Sequence, residues 1–244
     1  MRPADLFSIL NSVDSTNNYA MRKVHAGLAK HGMAWFAHEQ TAGKGQRGKT
    51  WQTGHRQNIA LSIVLYPQGL SLVQSFQLSV AVSLACHRFL SQFAGDDCFI
   101  KWPNDIYWRD RKAGGILIEN QVQGEEWKFA VAGIGFNVNQ ESFRQGMKNP
   151  VSLHQVTRKM YDTVTLAHQI YEMVLEEVEK IGSVPFAEKL TEYNSKLYGR
   201  GRKMKMRHEN RVFETEVKEV IENGKLITGS HGENAFEFGS VEWL

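Results

Sequence analysis

Apolar and polar positions alternate along the chain with several distinct periods. Leu166, Ile170, Met173, Val174, Val178 and Ile181 recur at i, i+4, i+7, i+8, i+12 and i+15, which predicts one face of a helix closed by Gly182. Pro185 then opens a second predicted helix to about Tyr198. Upstream, Leu72, Val73, Phe76, Val80, Leu84 and Phe93 occupy several faces between Ser71 and Phe93, so that helix is expected in the core. A fourth helix, Tyr19 to about Ala29, follows a dense run of capping residues, Asp14 to Asn18.

Between these lie β-rich runs: Met33 to Ala37, Ile59 to Tyr66, Phe99 to Trp108, and Trp127 to Val138 as partner to the stretch after Lys112. Pro103 breaks the third run, and Arg109-Asp110-Arg111 reads as a polar hairpin tip. From Gly199 the pattern shifts to short strands: Lys203 to Arg207, Val212 to Val220, Leu226-Ile227 after the Asn223-Gly224 turn, and Ala235 to Phe238. That predicts two units, residues 1–198 and 199–244, the second a small barrel or partial barrel. Its basic opening is balanced by Glu214, Glu216 and Glu219, so a solvated strand face is expected there rather than a nucleic-acid surface.

Composition adds limits rather than direction. With 42% hydrophobic residues and a net charge of +3, the chain reads as an ordinary globular protein with no strong polyelectrolyte partner. Cys86 and Cys98 form no CxxC and cannot build a zinc site alone, so free thiols in a reducing cytoplasm are expected. Residues 1–5 lead into no long apolar run, so neither a signal peptide nor a membrane anchor is expected.

The chemistry concentrates in Gly43-Lys44-Gly45-Gln46-Arg47-Gly48-Lys49-Thr50-Trp51. This string satisfies both the P-loop pattern and the dinucleotide fingerprint, and both require a helix directly after the loop to help bind phosphate. Gln52 to Asn58 is polar, glycine-broken and without apolar period, and a β-rich run follows. The reading that remains is a strand-loop-strand whose basic loop closes over an anion. Elsewhere, the hydroxyls and amides of Ser15, Thr16 and Asn17 exceed what one helix cap needs. The turn bearing Lys101, Asn104 and Asp105 suits a nucleotide with magnesium, although Pro-Asn-Asp is also a common turn. Lys112 precedes small residues that let a buried anion approach, and Asn137 and Asn139 share one strand face that could line the same pocket. His25, His31 and His38 have no metal-ligand spacing.

Together these segments resemble the biotin protein ligases. The resemblance rests on Asp14-Ser15-Thr16-Asn17, Glu39 to Gly43 with the glycine loop and Trp51, Lys101-Trp102-Pro103-Asn104-Asp105, Lys112 to Leu117, and Gly133-Ile134-Gly135-Phe136-Asn137, in family order. It implies an α+β fold with a mixed, largely antiparallel sheet packed with helices, related to class II synthetases, plus an SH3-like C-terminal domain. It also implies ATP-dependent formation of biotinyl-5′-AMP and transfer of biotin to a lysine of a biotin carboxyl carrier protein. ATP, Mg2+ and biotin would serve as substrates, with no tightly bound prosthetic group.

Carried over by position, Ser15, Thr16, Asn17, Gln40, Gly43, Lys44, Gly45, Gln46, Lys112 and Gly115 would bind biotin. Arg47, Lys49, Trp51, Asn104 and Asn137 would bind ATP. Lys112, Arg47 and Lys101 would be catalytic, and Asp105 would hold the metal. Lys44, Gln46 and Lys49 depart from an arginine-rich loop and predict a looser hold on the adenylate. The resemblance further implies a cytoplasmic homodimer with no membrane attachment. With 14 residues before Ser15, no DNA-binding domain is expected. Competing readings are a lipoate ligase or octanoyltransferase and a non-catalytic biotin-binding regulator.

Overall fold

The computed structural model describes residues 6–51, 54–67, 69–143, 149–229 and 233–244. The expectations for residues 1–5 and for Gln52 and Thr53 lie outside them.

Strand β3 (Asn58–Leu65) is buried at every position. Its sequence requires this, because a strand without alternation must be covered on both faces. It sits between β2 (Ala34–Ala37) and β7 (Glu126–Asn137), antiparallel to both. With β1 (Phe7–Leu10), β4 (Cys98–Lys101), β5 (Asp105–Trp108) and β6 (Arg111–Gln123) they form a seven-stranded sheet in the order β1-β2-β3-β7-β6-β5-β4. Only the β1–β2 pair is parallel, so the sheet is mixed and largely antiparallel, as expected. The β5–β6 hairpin turns between Trp108 and Arg111, at the anticipated tip.

Helix α1 (Thr16–His25) covers part of one sheet face, where Ala20 and Val24 meet Trp35, Val64 and Val131. It starts three residues earlier than expected, because Ser15 is the cap and the two asparagines after it are already helical. It ends at His25, with Gly27 at φ 68° turning the chain away. The opposite face carries the main core beneath α2 (Ser75–Ala94), α4 (Thr163–Glu179) and α5 (Phe186–Ser195). Helix α2 packs against both other helices and the sheet, which explains its apolar residues on several faces. The one-turn α3 (Leu153–Thr157) was not expected, since five residues carry no period; the Ser152/Gln155 capping box is its local signal. Both α4 and α5 stop two to three residues short of the expected ends.

The last segment forms a five-stranded antiparallel sheet from β8 (Lys203–His208), β9 (Arg211–Val220), β10 (Leu226–Thr228), β11 (Asn234–Phe236) and β12 (Val241–Trp243), ordered β11-β10-β9-β8-β12. Glu214 and Glu219 are exposed, as a solvated strand face requires. Strand β12 was not expected from its three residues. The sheet is fastened to the rest of the molecule by two indoles. Trp102 Nε1 donates to Gly224 O at 2.9 Å, and Trp243 Nε1 donates to Trp102 O at 3.0 Å. Among the described residues no helix is long and apolar enough to cross a membrane. Cys86 and Cys98 are free and buried, and burial pushes the Cys98 thiol up to about 11.

Candidate active site

Glycines 114, 115, 133 and 135 lie on the paired strands β6 and β7; a Cβ at Gly114, Gly133 or Gly135 would overlap a neighbour, and one at Gly115 would lie against Lys112 and Asp105. Above them opens a cleft of about 1070 Å³. Its walls come from the start of α1, the loop after β2, the β4–β5 turn, and β6 and β7. The C-terminal sheet contributes Arg207, Glu209 and residues 239–243.

At one end the α1 start builds a hydrogen-bonding floor. Ser15, Thr16 and Asn17 are almost fully buried. Thr16 N donates to Gln40 Oε1 at 2.8 Å, and Thr16 Oγ1 lies 3.1 Å from the same oxygen. Gln40 therefore keeps its carbonyl on Thr16 and leaves its NH2 group beside Gly43. Ser62 Oγ stands 2.7 Å from Thr16 Oγ1 and 2.6 Å from Asn17 Oδ1. Asn17 Nδ2 donates to Glu119 Oε2 at 2.8 Å, and Glu119 Oε1 lies 3.4 Å from Lys44 Nζ. A chain of polar groups thus runs from Gln40 to the glycine loop, with each amide orientation fixed by its neighbours. Ser15 adds only a long 3.5 Å cap to Asn18 N, so its hydroxyl is not consumed by the helix. Neither Ser62 nor Glu119 was singled out in the sequence. Ser62 is one polar residue in a buried strand, and that was its available signal.

The glycine loop is a closed strand-loop-strand with only a short 3₁₀ turn, Gln46–Gly48. Gly45 N donates to Lys49 O at 2.6 Å and Trp51 N to Gly43 O at 2.8 Å, so the loop's ends are tied together. No described residue after it begins a helix before β3, and the P-loop and dinucleotide readings fail on that geometry. Lys44, Gly45, Gln46, Arg47, Lys49 and Trp51 all line the cleft, but Gly43 does not. A Cβ at Gly43 would run into Trp51 O and the Gln40 amide, so its role here is to let the loop close. Arg47 adopts φ 55°, lies over Gly239 and donates to Phe238 O at 3.4 Å. The loop's arginine thus rests on the C-terminal sheet. The Trp51 indole lies against Gly135, where a Cβ would overlap its ring.

At the other end, Lys112 Nζ is 2.5 Å from Asp105 Oδ1, both partly exposed to the cleft. A Cβ on Gly115 would sit 3.4 Å from Lys112 Nζ, so the glycine leaves the pair accessible. Asn104 faces the same cleft, but its Nδ2 donates to Ile116 O at 2.6 Å and braces the turn. Lys101 stands over the rings of Tyr107, Tyr198 and Trp243. Asn137 donates to Val151 O at 3.1 Å, while its Oδ1 and the Nε1 of Trp51 are buried without a hydrogen-bond partner. Asn139 lies apart from the cleft, joined to Tyr161 through both sides of its amide. The shared strand face did not bring it in, because β7 ends at Asn137. Among the described residues no three His, Cys, Asp or Glu side chains gather as a metal group.

The family model for the biotin/lipoate A/B protein ligase family matches residues 9–137, the span that supplies most of this cleft. The chain is 36% identical over 161 residues to the biotin–[acetyl-CoA-carboxylase] ligase of Paracoccus denitrificans, covering 63% of this chain and 65% of that one. It is 29% identical over 184 residues to the bifunctional ligase/repressor BirA of Escherichia coli strain K12, covering 73% of this chain but only 56% of that protein. Its fold is shared with the biotin protein ligase of Aquifex aeolicus solved with biotin and ATP, at a TM-score of 0.80 and 24% identity over 98% of both chains. With more than half of its length matched and the same architecture throughout, the chain belongs to the biotin/lipoate A/B protein ligase family.

Proposed function

We propose that this chain is a biotin protein ligase, activating biotin with ATP to biotinyl-5′-AMP and passing biotin to a lysine of a biotin carboxyl carrier protein. The observation that carries this is one cleft with a hydrogen-bonding floor of Ser15, Thr16, Asn17 and Gln40 at one end and a partly exposed Lys112–Asp105 pair at the other. Gln40, Thr16, Ser15 and Asn17 suit a ureido head, which both donates and accepts. Lys112 suits a carboxylate attacking the α-phosphate. The buried, unpartnered Trp51 Nε1 and Asn137 Oδ1 offer a donor and an acceptor to adenine, with the Trp51 ring beside them. Arg47 and Lys49 would close over the adenylate phosphate.

Such a reaction needs no protein nucleophile. The biotin carboxylate forms a bond to the α-phosphorus as pyrophosphate leaves; the carrier amine then attacks the acyl carbon and AMP leaves. Orientation and cationic stabilisation of phosphoryl oxygens suffice. Asp105 would be the carboxylate that holds Mg2+; it lines the cleft, and one of its oxygens accepts from Lys112. One carboxylate fits a magnesium ion that takes its other oxygens from ATP phosphates and water. Bound so, Mg2+ would neutralise phosphate charge.

The remaining parts of the reading are a catalytic unit at residues 1–198, an SH3-like unit at 199–244, a cytoplasmic homodimer, and a hold on the adenylate loosened by Lys44, Gln46 and Lys49 in place of arginine. Free buried cysteines support a reducing compartment. The test is transfer: purified protein, biotin and Mg-ATP incubated with a biotin carboxyl carrier domain, followed by intact mass. A single biotin on the carrier's target lysine supports the reading, and an unmodified carrier opposes it.

A further inference from the structure

Glu119 stands outside the cleft lining, yet the buried side chains of Asn17, Ser62 and Thr16 take their orientation from it in turn. Its Oε2 accepts from Asn17 Nδ2 at 2.8 Å, and Lys44 Nζ lies 3.4 Å from its other oxygen. An ionised carboxylate only accepts, so the amide nitrogen of Asn17 must face it. Leu117 O, 3.3 Å from the same nitrogen, favours the same orientation through a longer contact. Asn17 Oδ1 is thereby turned to Ser62, whose Oγ is 2.6 Å away; the amide oxygen cannot donate, so the single hydroxyl proton of Ser62 belongs to this contact. Ser62 Oγ is also 2.7 Å from Thr16 Oγ1. Two oxygens this close need a proton between them, and Ser62 has none left, so Thr16 supplies it. The 3.1 Å contact from Thr16 Oγ1 to Gln40 Oε1 is the longest of the three and is the one left without a proton. Gln40 Oε1 keeps the bond from Thr16 N at 2.8 Å.

We propose that Glu119 is a positioning residue that sets the hydrogen-bond polarity of the floor: protons point from Thr16 to Ser62, from Ser62 to Asn17 and from Asn17 to Glu119, so that Thr16 Oγ1 and Asn17 Oδ1 serve the cleft as acceptors. A ureido ring brings two N–H groups to such oxygens. A dithiolane brings none and would leave both buried and unpaired, the kind of mismatch by which a polar site rejects an apolar competitor. Ser62 pairs across the strands with Gly133, where a Cβ would overlap Asn17 Oδ1, so the glycine gives the chain of groups its room. The inference rests on the biotin reading above, and it assigns part of the selectivity to a side chain outside the cleft.

Two measurements test it. Neutron diffraction from crystals of the deuterated, ligand-free protein locates the hydroxyl and amide deuterons. They should lie between Thr16 and Ser62, between Ser62 and Asn17, and between Asn17 and Glu119. A Thr16 deuteron directed at Gln40, or an Asn17 amide nitrogen turned to Ser62, would overturn the proposal whatever the protein binds. Calorimetric titration then compares biotin with its two cyclic-carbamate analogues, each with one ureido N–H replaced by oxygen, on wild type, Glu119→Gln and Glu119→Met. In wild type the weaker analogue should bind about tenfold or more less tightly than biotin. Glu119→Met should weaken biotin about tenfold and reduce the analogue's penalty to about threefold. Glu119→Gln, whose amide oxygen still accepts from Asn17, should stay within about threefold of wild type and keep the penalty. Equal losses for all three ligands in Glu119→Met, as a merely structural role would give, or affinities matching wild type, would overturn the proposal. Wild-type protein that binds no biotin would count against the biotin reading instead, and the deuteron positions would still decide the polarity.

Discussion

Lys112 Nζ and Asp105 Oδ1 are 2.5 Å apart, on neighbouring strands, with Gly115 directly beside them. The carboxylate holds the ammonium at one point of the cleft without burying it, and on the proposed reading a biotin carboxylate or phosphate would share or displace that contact. Lys112→Met should lower kcat for adenylation about 100-fold or more, the range for loss of a charge that stabilises developing anionic oxygen. Asp105→Asn, which keeps an acceptor, should cost less, about tenfold. Gly115→Ala fits the ligand-free protein, since its Cβ would make ordinary contacts, so its effect should appear in KM and leave Tm nearly unchanged. A Tm fall in Gly115→Ala with unaltered KM would contradict this placement.

The two glycines of β7 separate the ends of the cleft. A Cβ at Gly133 would overlap the Asn17 amide, and one at Gly135 would overlap the Trp51 indole. Gly133→Ala should therefore raise KM for biotin by about tenfold or more and change KM for ATP little; Gly135→Ala should do the reverse. Steady-state kinetics on both variants checks this, and parallel changes in both constants would show that the two ends are not distinct.

Much of this arrangement was legible before the structure because motif residues sit where backbone rules are strict. Prolonged apolar runs located β3 and α2, and Asn223-Gly224 located the turn at Gly224, φ 83°. The absence of helical period after Trp51 excluded a P-loop although the letters matched one. What escaped the sequence depends on long-range contact. Glu119 reads as an ordinary hairpin-strand carboxylate until the fold brings Asn17 and Lys44 to it. Trp243 lies in a strand of three residues, too short for any period, and reaches the site only because β12 pairs with β8. Asn139 erred in the other direction: alternation placed it with Asn137, but the strand had already ended.

Away from the cleft, Glu177 is a buried carboxylate joining three elements, with Arg88 at 2.9 Å, Lys180 at 2.7 Å and Lys189 at 3.1 Å. Burial alone would raise its pKa, but the lysines and Arg88 outweigh burial and hold it below its ordinary value of 4.5. A depressed carboxylate contributes stability that is present above the unfolded-state pKa and is lost as pH falls through the folded one. Glu177→Gln should cost about 1–3 kcal/mol at neutral pH, less than a fully buried pair because the three cations are part-exposed. The deficit should shrink below pH 4.5. Denaturant unfolding across pH checks both; a constant deficit down to acid pH would rule out the ionic account.

Gln46 occupies a cleft-lining position in the loop without charge. Gln46→Arg adds a planar cation able to make two parallel bonds to phosphate. It should slow release of biotinyl-5′-AMP by about tenfold, as followed by stopped-flow fluorescence of the cleft tryptophans. Equal release rates would mean that Gln46 does not loosen the hold.

Biotin adenylation in the cleft is measured most directly by ATP–pyrophosphate exchange of the purified protein with biotin, with lipoate and with neither. Exchange is expected with biotin alone and should be abolished in Lys112→Met. Exchange with lipoate alone, or none with either acid, would contradict it.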